Sequence, residues 1–154
     1  MSEITVKPVV RDDVKPLIRI ELPKEMDDFV APNAVSLAQV HYETGGYAFC
    51  IWKGDQRVGL VQVIDMQECQ HREKEDDPNS IYLWRLLIGP DFQRQGIGRA
   101  VMAWLDQWTK DRGLGVIFVT CVPENVNAMR LYETSGYVRT GRVIEGEVEL
   151  KKTL

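Results

Sequence analysis

The hydrophobic patterning of this chain predicts a mixed α/β domain, and three observations carry that prediction. Apolar strand-like runs alternate with amphipathic segments from end to end. Hairpin signals stand on either side of a central stretch in which a strand leads into a long helix and then another strand. The 154 residues are 44% hydrophobic and 27% charged with a net charge of −4, the make-up of one globular domain over 1–154.

Ile4–Pro8 alternates apolar and polar residues and reads as a first strand. Arg11-Asp12-Asp13 opens a helix that runs to about Ile20, with acidic residues at its positive end. Pro23 interrupts the chain, and Met26–Val30 is ambiguous. Asn33 is a good N-cap for a second helix through about Glu43, with Val35, Ala38 and Tyr42 on one face and Gly45-Gly46 at its end. Tyr47–Trp52 and Arg57–Asp65 are strands joined through the turn Lys53-Gly54-Asp55-Gln56. Glu68–Asp77 is a charged, solvated loop ended by Pro78-Asn79. Ile81–Ile88 is apolar enough for a buried strand.

From Ile97 the apolar positions Ile97, Ala100, Val101, Trp104, Leu105 and Trp108 follow a helical stripe, closed by Gly113 and Gly115. This places Trp104 and Trp108 in the core, and Trp84 is assigned there too. Val116–Cys121 is a strand, Asn125–Ser135 a helix with Gly136 as its left-handed cap, and Tyr137–Arg142 with Glu147–Leu150 a final hairpin. The sum is about seven strands in one mixed sheet and about four helices.

Several functions are excluded or disfavoured. An acidic chain is a poor match to nucleic acid, whose phosphates select basic surfaces. The three cysteines are isolated and read as reduced thiols of a cytoplasmic protein, and the two histidines have no zinc-site spacing with them, so no metal is expected. No signal-peptide core is present, and no apolar run approaches the roughly 18 residues of a membrane span.

Function concentrates in Gln93-Arg94-Gln95-Gly96-Ile97-Gly98, a glycine turn between a strand and a helix. Such a turn aims several backbone N–H groups at one point, at the positive end of a helix, and suits phosphate oxygens. It is not a P-loop, because Arg99-Ala100 stand where Lys-Ser/Thr is required. It is not a dinucleotide fingerprint, because Val101 stands at the third glycine.

The turn fits Arg/Gln-x-x-Gly-x-Gly/Ala, and one strand later Asn125-Val126-Asn127-Ala128-Met129-Arg130-Leu131-Tyr132 with Gly136-Tyr137 fits Asn-x-x-Ala-x-x-Leu-Tyr-x-x-x-Gly-Phe, apart from Tyr137 for Phe. Both are motifs of the GNAT superfamily of N-acetyltransferases, which the chain resembles over nearly its whole length. The resemblance implies acetyl-CoA as cosubstrate. It implies a strand splayed from its neighbour at Leu86, Leu87 and Ile88, whose free backbone groups hold the acetyl and pantetheine part. It also implies a pyrophosphate loop formed by Gln93, Arg94, Gln95, Gly96, Ile97, Gly98 and Arg99. A Cβ at 96 or 98 would crowd the phosphate. Arg94 and Arg99 add charge there or are simply solvated. Asn125 matches a cofactor-contacting position and also suits an N-cap, and Ala128 gives clearance beside it. Tyr132 matches the general acid: a neutral phenol of pKa about 10 can protonate a thiolate whose thiol has pKa about 8.5.

The base is not legible. An alkylammonium of pKa near 10.4 is neutral only about once in 10³ at pH 7, so a proton must leave. Many relatives carry a carboxylate on the fourth strand, and Tyr82-Leu83-Trp84-Arg85-Leu86-Leu87 has none. Glu21, Glu25 and Glu124 are candidates, as is relayed water.

A finer resemblance, through residues 29–39, 82–88 and 140–147, is to bacterial diamine and polyamine N-acetyltransferases. It implies a small-molecule amine such as spermidine or spermine. The alternatives are an aminoglycoside, an amino acid, a protein N-terminus, or a non-catalytic CoA-binding module. Glu145, Glu147 and Glu149 read as the solvated face of the last hairpin, with Ile144, Val148 and Leu150 inward; pairing with ammonium groups is the alternative. Hairpin edges leave room for a homodimer.

Overall fold

A computed structural model describes residues 3–26 and 28–154. Seven strands form one sheet: β1 (Ile4–Pro8), β2 (Gly46–Lys53), β3 (Gln56–Asp65), β4 (Ile81–Ile88), β5 (Val116–Cys121), β6 (Val138–Ile144) and β7 (Glu147–Thr153). The described residues also form four α-helices, α1 (Arg11–Ile18), α2 (Asn33–Val40), α3 (Ile97–Asp111) and α4 (Val126–Thr134). The spatial order is β1-β2-β3-β4-β5-β7-β6. Every neighbouring pair is antiparallel except β4–β5, whose parallel sense requires the crossover that α3 supplies. None of the described helices is long and apolar enough to cross a membrane.

The sheet has two dressed faces. On one, Val61, Val63, Leu83, Ile117 and Val119 pack against Val101 and Leu105 of α3 and Met129 of α4. Trp104 and Trp108 close its edge around Phe49, with Trp104 4.7 Å from that ring. On the other, Cys50 and Leu60 meet Leu17 of α1 and Leu37 of α2. A smaller cluster of Ile64, Met66 and Cys69 receives Tyr82 and Trp84. All three cysteines are buried and free. Burying each large aliphatic side chain stabilises by about 1.5–3 kcal/mol, which makes these two layers the main source of stability.

The first third of the chain departs from expectation. α1 ends at Ile18, and its start is held by Asp13, whose Oδ2 accepts from Val10 N–H (2.9 Å). Asp13 also accepts from Arg57 Nε (2.8 Å), tying α1 to β3. Asn33 is not the N-cap of α2; Pro32 occupies that position. The Asn33 amide instead donates to Leu17 O (2.9 Å), so its side chain joins two helices. α2 stops at Val40, and its inward face is Asn33, Ser36 and Leu37, whereas Val35 and Tyr42 are exposed. The reason lies in the segment after it. Glu43 is drawn towards Cys69 and His71, and Gly45 O accepts from Asp65 N–H (2.8 Å), which bends the chain into β2. Within the ambiguous stretch 26–30, Met26 ends a 3-10 turn begun at Lys24, and Asp27 lies outside the described residues.

Candidate functional site

The pairing of β4 with β5 stops early. Only Ile81, Leu83 and Tyr82 between them face β5, at Ile117, Val119 and Phe118, and the five residues Trp84–Ile88 have no partner on that side. The cause is a bulge: Gln62 pairs with Arg85 and Val63 with Leu83, leaving Trp84 as the extra residue that bends β4 away. Tyr82 Oη lies 2.8 Å from Thr120 Oγ1, a last tie across the gap. Beyond it the strands splay around a cleft of about 970 Å³.

One wall of the cleft is a single run of chain. Leu86, Leu87 and Ile88 line it from β4, where their β3-facing groups remain laddered to Val61, Leu60 and Gly59. A 3-10 turn at Pro90–Phe92 follows, and Gln93 Nε2 reaches back to Ile88 O (3.1 Å). Arg94 (φ 62°) and Gly96 (φ 78°) are both left-handed, which curls the loop into a backbone nest. Gln95 is braced by Lys53 Nζ (2.6 Å). Ala100 N–H donates to Gly96 O (3.1 Å), so the N–H groups of Ile97, Gly98 and Arg99 belong to the unsatisfied first turn of α3.

The two glycines of the turn serve different needs. A Cβ on Gly96 would meet no protein atom within 4 Å, so that position needs glycine for its φ. A Cβ on Gly98 would lie 3.0 Å from Leu131 Cδ2, so that position lets α3 approach α4. Arg94 is exposed at the rim, and Arg99 Nη2 donates to Thr134 Oγ1 (3.0 Å) on α4.

α4 forms the inner end of this wall. Asn125 is its N-cap, its Oδ1 accepting from Ala128 N–H (3.3 Å), and both residues line the cleft. One turn further on, Tyr132 lines the cleft and is only 7% exposed, its ring 5.9 Å from that of Tyr137. Burial pushes its phenol above the ordinary tyrosine range, and the nearby Cys121, Tyr82 and Glu147 add to the rise. A hydroxyl so placed remains a proton donor through the neutral range.

The opposite mouth is built from scattered segments: Asp28–Ala31 before α2, Trp84 and Arg85 on the bulge, Thr120 on β5, and Glu145 and Glu147 at the last hairpin. The carboxylates nominated from sequence are elsewhere; Glu21, Glu25 and Glu124 are exposed and do not line the cleft. Those that do are Asp28, Glu145 and Glu147. The reading of the last hairpin as a solvated face holds for Glu145, which is exposed, and is corrected for the other two glutamates. Glu149 is 6% exposed and accepts from Thr140 Oγ1 (2.7 Å), and Glu147 is half-buried against the cleft. Leu150 is inward as expected. Trp84 does pack on the Met66 cluster, but it also forms part of the mouth, with the Arg85 guanidinium 5.1 Å over its ring. The alternation of Glu145, Glu147 and Glu149 was the available signal for an acidic wall.

Arg85 is half-buried, and its hydrogen bonds go to Gln39 Oε1 (3.0 Å) and Trp84 O (3.3 Å), both neutral acceptors. Burial lowers its pKa from the ordinary guanidinium value. Among the described residues there is no cluster of three or more His, Cys, Asp or Glu able to hold a metal.

Residues 12–137 match the profile of the acetyltransferase (GNAT) family. The human protein N-acetyltransferase 8 is 26% identical over 96 residues, an alignment that covers 60% of this chain and 40% of that protein, so the chain spans well under half of that relative's length. Among solved structures, aminoglycoside acetyltransferase AAC(6')-Ib in complex with coenzyme A and kanamycin superposes with a TM-score of 0.80 at 19% identity, covering 98% of this chain and 95% of that one. Spermidine N-acetyltransferase from Vibrio cholerae in complex with CoA and spermine gives a TM-score of 0.72 at 18% identity, covering 96% and 92%. At these identities the two superpositions speak for the fold.

Proposed function

The chain belongs to the acetyltransferase (GNAT) family, and from that premise we propose that it transfers the acetyl group of acetyl-CoA to a primary amine, with a diamine or polyamine such as spermidine or spermine as acceptor. The observation that carries the reaction is the splayed β4 edge leading through the left-handed loop into α3, with Tyr132 on the inner wall of the same cleft. Leu86, Leu87 and Ile88 hold the acyl and pantetheine part along the strand edge. The N–H groups from Gln93 to Arg99 take the pyrophosphate, helped by the positive end of α3. Asn125 and Ala128 shape the passage to Tyr132.

In the reaction the lone pair of the neutral amine attacks the thioester carbon. The new C–N bond forms, the C–S bond breaks, and the Tyr132 hydroxyl gives its proton to the departing sulfur. The proton lost from nitrogen leaves through water, and restores Tyr132. The raised phenol keeps this donor protonated at neutral pH.

Asp28, Glu145 and Glu147 support a polycationic acceptor, since three carboxylates face the mouth. A second reading is favoured by Arg85, a half-buried cation without a carboxylate partner among the described residues, which suits the anionic end of an amino acid. A thiol-release assay with acetyl-CoA against spermidine, spermine, short diamines, aminoglycosides and amino acids tests both. Turnover confined to amino acids overturns the polyamine proposal, and no turnover with any amine overturns the reaction.

A further inference from the structure

Glu147 occupies the place where two cavities meet. Behind the cleft, on the far side of the gap between β4 and β5, lies a second cavity of about 300 Å³. Tyr82, Thr120, Glu145 and Glu147 line both spaces. The register explains why. β7 pairs with β5 up to Val148 opposite Cys121, so Glu147 stands one residue past the end of β5, where the sheet has opened.

Its neighbours are committed and Glu147 is not. Glu149 is held by Thr140 and Arg142. Glu145 lies in the turn at φ 51° with its side chain exposed. Glu147 is half-buried, feels the Arg85 guanidinium across the mouth, and takes part in no side-chain hydrogen bond or ion pair among the described residues. Its charge reaches both walls: burial is the main influence on Tyr132, Tyr82 and Cys121, and Glu147 adds to the rise in each. A partly desolvated carboxylate that makes no hydrogen bond gains from an ammonium able to donate to it.

The chemistry says which cation. The attacking nitrogen must be neutral, and an adjacent carboxylate would hold it protonated. Glu147 therefore suits an ammonium that does not react. We propose that Glu147 binds the non-reacting ammonium of an acceptor carrying at least two, with the remainder of that acceptor extending into the second cavity; this rests on the acetyl-transfer reading above and deepens it. It makes Glu147 a specificity-determining residue and makes diamines better acceptors than monoamines of equal length.

Calorimetric titration of spermidine into the CoA-saturated protein reads this contact without turnover. Glu147→Gln is expected to weaken spermidine about tenfold or more, the scale of one charge-assisted hydrogen bond. Glu147→Asp recovers part of the loss, and affinity for CoA is unchanged in both. Glu133→Gln, which removes an exposed carboxylate paired with Arg139, controls for net charge and leaves spermidine binding intact. Butylamine loses nothing in Glu147→Gln. Equal spermidine affinity in the wild type and Glu147→Gln, or no spermidine binding by the wild type, overturns the assignment. Thiol release scores the reaction separately. Amine turnover with spermidine affinity insensitive to Glu147 defeats this inference alone. Glu147-dependent spermidine binding without turnover of any amine supports it and defeats the reaction.

Discussion

The two sides of the cleft are made in different ways. The wall that runs from Leu86 through the 93–99 loop and α3 to Tyr132 on α4 is nearly one stretch of chain, and what it offers a ligand is mostly backbone: an unpaired strand edge, two left-handed residues and a helix start. The mouth facing it gathers Asp28–Ala31, Trp84, Arg85, Thr120, Glu145 and Glu147, and its working parts are side chains. Backbone recognition of a common donor constrains glycines and strand ends. Side-chain recognition of an acceptor depends on which residues folding happens to bring together, and can change without altering the frame.

The strongest way to break this contrast is at Gly96. Valine there would have to hold a φ of 78° that β-branched residues avoid, and the loop would reshape. Strain of about 1–3 kcal/mol at such a position corresponds to as much as about 100-fold in binding. Gly96→Val is expected to lose acetyl-CoA affinity on that scale by calorimetry while its thermal melt stays cooperative. Wild-type affinity in a folded variant would show that the pyrophosphate is held elsewhere. Gly98→Val should act differently, lowering the melting temperature, because its side chain meets Leu131.

Tyr132→Phe comes next. As the proposed general acid, Tyr132 should cost kcat about 10²-fold or more when its hydroxyl is removed, with acetyl-CoA affinity unchanged. The pH dependence has a definite sign. Burial raises the phenol pKa, so the donor form survives past the ordinary value of about 10 and kcat should not fall through tyrosine ionisation below that pH. A tyrosine-dependent alkaline fall centred near pH 9, absent from the Phe variant, would contradict this assignment.

The same contrast decides what the sequence could reveal. The α3 stripe, the Asn125 cap and the glycine turn are local, and each appears in the structure where its spacing puts it. The order of strands and helices follows from the same local signals. Asn33 misled because its amide NH2 donates to Leu17 O, sixteen residues away, instead of its oxygen accepting at the helix start. Glu147 misled because alternation shows which residues share a face but not what covers that face; the opening of β4 at Trp84 is a register event invisible in composition. Arg85 gave no signal for the same reason.

Arg85→Gln sharpens the comparison at the mouth. Removing a half-buried like charge should lower the KM for spermidine by about threefold to tenfold, given surface-to-partly-buried charge interactions of about 1 kcal/mol. The acetyl-CoA KM should not move, because the wall proposed for the donor lies beyond the bulge. A rise in KM that is specific to amino acids would instead favour the second reading of the acceptor. Arg85→Lys, which keeps the charge but loses the fork to Gln39 and Trp84, separates charge from geometry.

The smallest expected effect is at the rim of the donor wall. Arg94 is exposed, and Arg99 is exposed but leans on Thr134, whose hydroxyl in turn donates to Arg130 O (2.7 Å). If the backbone of the loop does the binding, these guanidinium groups add only screened attraction, about 0.5–1 kcal/mol each. Arg94→Ala should therefore raise the acetyl-CoA dissociation constant by about twofold to fivefold at low salt, and the difference from wild type should shrink as ionic strength rises. Arg99→Ala should do the same with a small loss of stability from the broken link to α4. The backbone at Arg94 is already left-handed, so Arg94→Gly gives a cleaner test: it removes the charge and relieves the φ of 62°. An Arg94→Gly protein that binds as weakly as Arg94→Ala assigns the whole effect to charge, whereas one that loses affinity as severely as Gly96→Val would transfer the grip from the backbone nest to a side chain and dissolve the distinction between the two walls.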